Sequence, residues 1–524
     1  MPSEPSIGDS KDHIQTDAVR SNLKRKSLQS GLISFAVQPL KLALGVGSTS
    51  LLARLLTPAD FGLVAMVAPL LTLVDSLSNF GLETATIQRD KLSDEQLSAS
   101  FWLSLKINIV VIGVMMLMAP VLAWFYGEEK LTGITLAMAV GALSVCLAFQ
   151  HKSLLKRQMR FGVLTLIDVG SILTAAGCAI AAALLNWGYW ALVLQLVVMQ
   201  LTQSIAYWLI CDWRPKRYLK NAKLDANLKA MLSYGANLTG FRFITRIGMQ
   251  LDRILVGYVS GAGALGLYHV AYKWAYFSFE QVYHPLFDVA VSSFSRAYQD
   301  PELYRAYCRR GLMSLFALCF PALAFLFVEA RDVLLLLLGN QWLEAVPLFR
   351  LLTIAVFFGS IYRVTKWLYV SSGQTKRQLR WGLIHTPTMI VAVAIGSQYG
   401  AYGVALGYTT GLCLLSVPSV IFCLHNSPLS LLDFFSSVWR SAFASVITAV
   451  VLFAIKFNKF KFDFEFTFFE FTNTDIDNIF VQLITHSIIF GLIYLLLWIV
   501  LPGGKRAIAE VLENLRAIRS KGKK

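Results

Sequence analysis

The sequence is short of charge: Asp, Glu, Lys and Arg make up 15% of its 524 residues, where a soluble protein carries about a quarter. With 56% hydrophobic residues and a mean hydropathy of +0.58, that deficit excludes a large water-soluble core and makes lipid the main solvent. The seven cysteines (Cys146, Cys178, Cys211, Cys308, Cys319, Cys413 and Cys423) lack CxxC spacing and accompanying histidines, so they read as small buried side chains and not as zinc, redox or disulfide groups. No GxxxxGK[ST] loop occurs, and Pro502-Gly503-Gly504-Lys505 lacks its spacing, which excludes ATP as the fuel. Residues 1–27 are polar and end in Lys24, Arg25 and Lys26; the apolar run from Gly31 to Leu56 has no small-residue cleavage site after a short core, so no removable signal peptide is expected. No metal or cofactor is expected, and the chain is not read as an enzyme.

What the sequence does hold is apolar runs of membrane-spanning length. About fourteen are counted, at 31–56, 60–82, 99–125, 131–150, 164–185, 188–211, 231–258, 264–291, 309–328, 347–370, 379–398, 400–424, 433–455 and 478–501, each long enough to cross as a helix. The formal net charge of +16 would suit nucleic acid, but the cations lie in alternate loops and not on one face, so no nucleic-acid partner is expected. The basic segments are Lys152 to Arg160, Arg214 to Lys229, Lys376 to Arg380 and the C-terminal tail, while the intervening loops carry Glu128, Glu129, Glu329, Asp332 and Glu344 or almost no charge. By the positive-inside rule both termini are cytoplasmic and the span number is even. The tail from Lys505 to Lys524 reads either as a helix on the anionic inner leaflet or as a solvated end. The Phe-rich outer loop at 457–475 alternates with a strand period and is assigned no function.

Two internal matches suggest a repeat. Residues 51–66 align without gaps to 255–270, and Gly188-Tyr189-Trp190-Ala191-Leu192 aligns to Gly400-Ala401-Tyr402-Gly403-Val404. Each joins equivalent outer turns, which divides the chain into an N-terminal tail (1–27), an N-lobe of spans 1–6 (28–211), a basic cytoplasmic linker (212–230), a C-lobe of spans 7–12 (231–425), spans 13–14 (426–501) and a basic tail (502–524). The expected fold is an all-α polytopic membrane protein whose two six-helix lobes are parallel repeats, with two helices appended.

The run ARLLTPADFGLVAM (Ala53 to Met66), with FGLETATIQR (Phe80 to Arg89), LSDEQLSASFWL (Leu92 to Leu103) and DRILVGYVSGAGALGLYHVAYKW (Asp252 to Trp274), resembles Wzx-type polysaccharide flippases. These belong to the multidrug/oligosaccharidyl-lipid/polysaccharide (MOP) exporter superfamily, and the nearest branch is that of colanic-acid-type exopolysaccharide export. The resemblance runs through the twelfth span and fades over the last two. It implies a MATE-like bundle of fourteen helices around a central cavity opening alternately to either side. One departure is Ser292-Ser293, where that family carries a proline that breaks the inner end of span eight.

Charges within the spans are the candidate site. Each costs about 2.5–3.5 kcal/mol at a helix centre, so several together need water or partners. Arg242, Arg246 and Arg253 in span seven fall within about 40° of one face at 100° per residue, and Lys273, Glu280 and His284 share a face of span eight. Lys41 lies in span one, Asp75 in span two, Asp168 in span five, and Arg363 and Lys366 in span ten. The expected substrate-binding set is Arg242, Arg246, Arg253, Lys41 and Lys273, gripping a lipid pyrophosphate through bidentate guanidinium bonds. Asp75, Asp168, Glu280 and His284 are read either as buried ion-pair members or as ion-coupling groups, Asp252 as a local partner of Arg253, and Arg363 and Lys366 either as cavity cations or as snorkelling residues.

The expected function is secondary transport of polyprenyl-pyrophosphate-linked oligosaccharide across the bacterial inner membrane, with the lipid-linked substrate, membrane lipids and a polysaccharide polymerase or export machinery as partners. A multidrug or cation antiporter of the same fold is the alternative, disfavoured by the basic set of buried charges; a lipid II flippase is the other.

Overall fold

A computed structural model describes residues 23–78, 94–216, 248, 250–425, 427–457 and 475–504. Among them are fourteen α-helices and no strand: α1 (Leu23–Leu55), α2 (Pro58–Ser78), α3 (Asp94–Tyr126), α4 (Lys130–Arg157), α5 (Phe161–Leu184), α6 (Trp190–Ile210), α7 (Leu251–Ala297), α8 (Pro301–Val328), α9 (Ala330–Leu338), α10 (Val346–Ser371), α11 (Thr375–Ser397), α12 (Gly400–Leu424), α13 (Leu431–Phe457) and α14 (Asp475–Val500). Twelve are long and apolar enough to cross a membrane; α1 and the short α9 are not among them. The seventh span is described only from Gly248 onward, and the Phe-rich loop and the tail after Gly504 lie outside the described residues.

Helix starts are written into the sequence. Thr57 and Asp60 cap α2 reciprocally, the Thr57 amide donating to Asp60 Oδ2 at 2.9 Å and the Asp60 amide to Thr57 Oγ1 at 3.4 Å. Ser430 and Asp433 repeat the device at α13, and Asp300 accepts from the amides of Glu302 and Leu303 ahead of α8. Each satisfies backbone donors that lipid cannot. Gly261 (φ 76°, ψ −176°) breaks α7 at the turn expected between spans seven and eight, in a conformation restricted to glycine. The same helix runs on to Ala297 through Ser292-Ser293.

The chain divides into two compact units, Met1–Leu56 with Leu63–Ile247, and Thr57–Gly62 with Gly248–Lys524. In the first, α6 packs on α4 and α5, α3 on α4, and α1 on α5. In the second, α12 packs on α10 and α11, α7 on α10 and α8, and α13 on α8. The α11–α12 seam is made of small residues: a β-carbon at Gly396, Gly403 or Gly407 would overlap the facing backbone of the other helix, the close approach by which membrane helices associate without a hydrophobic drive. The Thr57–Gly62 turn is built into the second unit in the same way. Gly62 lies against Ala262, Gly266 lies against Pro58, and the Phe61 ring meets Trp342 edge-on at 5.1 Å.

The last two helices are latched by ions. Glu329, fully buried between α8 and α9, accepts from Lys456 Nζ of α13 at 2.8 Å and lies 3.0 Å from His486 Nδ1 of α14. Lys456 also reaches Asp332 at 2.5 Å. Burial alone would raise the Glu329 pKa; the hydrogen bonds from His486 and Lys456 overcome it and hold the carboxyl down at about 2.

Candidate functional site

In the second unit α7 carries an aromatic stripe at helical spacing, Tyr268, Tyr272, Tyr276, Phe279, Tyr283 and Phe287, and cations from α7 and α10 stand on it. The Arg253 guanidinium lies over the Tyr272 ring at 4.3 Å, and its Nη1 donates to Gln250 Oε1 at 2.9 Å. Tyr272 stacks on Tyr276 at 4.3 Å, whose hydroxyl shares a 2.8 Å hydrogen bond with that of Tyr408 on α12. Arg363 caps the other end, 4.7 Å from the Tyr276 centroid and 5.7 Å from that of Phe279. One turn further, Lys366 Nζ sits 5.2 Å from the Phe287 ring. Tyr283 fixes the α10 backbone here by donating to the Arg363 carbonyl at 3.2 Å.

The two guanidinium groups are held differently. Arg363 is offset by Glu280, 3.3 Å away. Beside Arg253, Asp252 is buried and accepts from the Tyr268 hydroxyl at 2.8 Å, and among the described residues no carboxylate ion-pairs with Arg253. Its Nε is buried with no hydrogen-bond partner among them. Aromatic faces steady a cation without neutralising it, so Arg253 keeps its charge and unused donors, the chemistry that binds a phosphate oxygen pair.

Of the other expected site residues, Lys41 does not stand alone: its Nζ lies 2.6 Å from Asp168 Oδ2 within the first unit, both half-buried. Asp75 is exposed and lines a cavity of about 450 Å³ inside the same unit. Lys273 and His284 are exposed on α7, and Glu280 is the partner of Arg363. Arg242 and Arg246 lie outside the described residues. Among the described residues no cluster of three or more His, Cys, Asp or Glu could hold a metal. The tyrosines were missed by sequence reasoning because apolar and aromatic residues at helical spacing are ordinarily core; the signal available was the i, i+4 run Tyr268, Tyr272, Tyr276, bracketed by arginines.

The fold is shared with solved transporters. The "Lipid II flippase MurJ, inward closed conformation" matches with a TM-score of 0.65 at 15% identity, covering 89% of this chain and 97% of that one. An inward-facing multidrug resistance MATE family transporter of the MOP superfamily matches at 0.56 and 13% identity, covering 73% and 93%. In sequence, the chain is 23% identical over 443 residues to the lipopolysaccharide biosynthesis protein WzxC of Escherichia coli (strain K12), 83% of this chain and 88% of that protein. It is 23% identical over 412 residues to the succinoglycan biosynthesis transport protein ExoT of Rhizobium meliloti (strain 1021), covering 77% and 81%. The model of one family, described as polysaccharide biosynthesis protein, matches residues 51–347, more than half of the chain. This many-spanned membrane protein therefore belongs to the polysaccharide biosynthesis protein family.

Proposed function

We propose that the chain is a flippase that carries polyprenyl-pyrophosphate-linked oligosaccharide units from the inner to the outer leaflet of a bacterial cytoplasmic membrane by alternating access, with Arg253 and Arg363 receiving the pyrophosphate. The observation that carries this reading is Arg253: a half-buried guanidinium seated on a tyrosine with no ion-pairing carboxylate within 4.0 Å among the described residues. The sequence adds Arg242 and Arg246, which lie outside the described residues, and Lys366 continues the cationic set. Lys41 and Lys273 take weaker roles, the first because Asp168 offsets its charge.

The family, the E. coli relative in lipopolysaccharide biosynthesis and the fold shared with a lipid II flippase support transport of a lipid-linked sugar. An anion leaving the cytoplasm gains about 2.3 kcal/mol per charge per 100 mV of inside-negative potential, so export needs no coupled ion. Both termini are assigned to the cytoplasm from the loop charges. The repeat reading draws support from the Thr57–Gly62 turn. In the repeat alignment 58 pairs with 262 and 62 with 266, so the contacts Gly62–Ala262 and Gly266–Pro58 interchange. The test is a deletion strain: lipid-linked oligosaccharide should accumulate on the inner leaflet and clear on complementation, and undiminished polysaccharide export without the gene would end the proposal.

A further inference from the structure

We infer that the cavity inside the first unit is a carbohydrate subsite, separate from the cations on α7 and α10, which takes a hydroxyl-rich sugar of the lipid-linked oligosaccharide; this rests on the flippase reading. The cavity lies among α2, α3, α4 and α6 and measures about 450 Å³, within the usual span of small-molecule sites, roughly 300–1,000 Å³. Its polar lining includes Asp75, Asn108, Lys152, Gln200, Gln203 and Ser204 among apolar side chains. One carboxylate and one ammonium balance in formal charge, and three amides carry much of the remaining polarity. Each amide offers a donor and an acceptor side by side, the complement of vicinal hydroxyls that each donate and accept. A pyrophosphate accepts only, and half of every amide would face it with the wrong polarity.

Asn108 is 1% exposed, and its Nδ2 donates to the Ser104 carbonyl at 2.9 Å, which fixes the amide in the wall. Across the cavity, the Gln200 amide occupies the place of a side chain on Gly141: a β-carbon there would overlap its Oε1. The glycine thus seats Gln200. Phe149 and Tyr207 add ring surface to the lining, suited to the apolar C–H face of a pyranose. On the topology read from loop charges, Asp75 and Lys152 lie toward the cytoplasmic end of their helices, where the substrate is loaded.

The cavity carries its own reporter. Cys146 is in the wall, and Val145→Cys supplies a more exposed thiol at the next lining position. In full-length protein in nanodiscs, with the other cysteines replaced, the alkylation rate by N-ethylmaleimide is followed at each reporter. Three probes are compared: undecaprenyl pyrophosphate, the same lipid bearing an oligosaccharide, and that oligosaccharide freed by mild acid. Binding of each lipid is checked in parallel by native mass spectrometry. The sugar-bearing lipid at ten times its dissociation constant should slow alkylation about tenfold, the free oligosaccharide should do so at higher concentration, and the bare lipid should leave the rate unchanged. Gln200→Leu and, independently, Gly141→Ala should abolish that protection without loss of bare-lipid binding. Equal protection by undecaprenyl pyrophosphate, or bound sugar-bearing lipid that leaves both thiols unprotected, overturns the subsite and leaves the flippase reading standing. A sugar-bearing lipid that does not bind at all overturns the flippase reading itself.

Discussion

The two units handle charge in opposite ways. In the first, Lys41 is matched by Asp168 at 2.6 Å, and Asp75 and Lys152 share a cavity lined otherwise mostly by amides and apolar side chains. In the second, the Arg253 and Lys366 cations rest on aromatic rings, and Arg363 stands on two rings and beside Glu280. On the proposals made here, one half of the chain takes a neutral, hydroxyl-rich group and the other an anion. A lipid-linked sugar has both parts.

Four experiments would break or sharpen that contrast. The largest effect on transport should come from Arg253→Ala, which removes a charge-assisted bond worth about 1.5–3 kcal/mol and should slow transport about 10- to 100-fold in a reconstituted assay while membrane insertion is unchanged. Full-rate export would remove Arg253 from the site. Next, Glu329→Gln disrupts a buried ion cluster that shares no residue with the aromatic stripe and should cost about 3 kcal/mol, read as a lower melting temperature in detergent, without changing substrate affinity. Its pH dependence has a fixed sign. A carboxyl held at about 2 in the folded chain, against about 4.3 when unpaired, stabilises fully above the higher value and loses that effect as pH falls through the lower. The wild-type advantage over the variant should therefore shrink as pH falls below about 4. A constant advantage down to pH 2 would contradict the ionised cluster.

A smaller effect is expected at Tyr272, where Leu should weaken lipid binding about three- to fivefold, the worth of a partly exposed cation–π contact of about 0.5–1 kcal/mol, while Phe should behave as wild type. If Phe and Leu are equivalent, the ring is packing and not support for Arg253. The smallest concerns Lys41 and Asp168, whose side chains are 21% and 35% exposed. Screening limits such a pair to about 0.5–1 kcal/mol, and the double variant Lys41→Met with Asp168→Asn should be less destabilised than the sum of the single ones. Additive losses would mean that the pair has no energetic coupling.

Much of the fold was legible because hydropathy and alternating loop charge both follow from the bilayer. The helices from α2 to α6 and from α8 to α14 fall where apolar length places spans, except α9. That helix was read as part of an acidic outer loop, because nine residues bearing Arg331 and Asp332 are too short to register as a span. The cations were legible one by one, since each is costly in lipid. Their partners were not. Lys41 and Asp168 are 127 positions apart, and nothing in either neighbourhood announces the other. Tyr272 and Tyr276 carry no charge to mark them, and only the placement of Arg253 and Arg363 against their rings sets them apart from core aromatics; the Asn108 and Gln200 amides likewise carry no charge to draw notice among apolar neighbours.

The ionic latch on the final helices bears on how the chain is made. His486 follows Glu329 by 157 residues and Lys456 follows it by 127, so at about 5–20 residues per second the acid leaves the ribosome roughly 8–30 s before its last partner. Until Lys456 has followed, the insertion machinery must shelter an acidic group without either of these partners. Assembly of this half waits on α13 and α14, and a nascent chain cut short before α13 presents quality-control proteases with a carboxylate that lacks both Lys456 and His486.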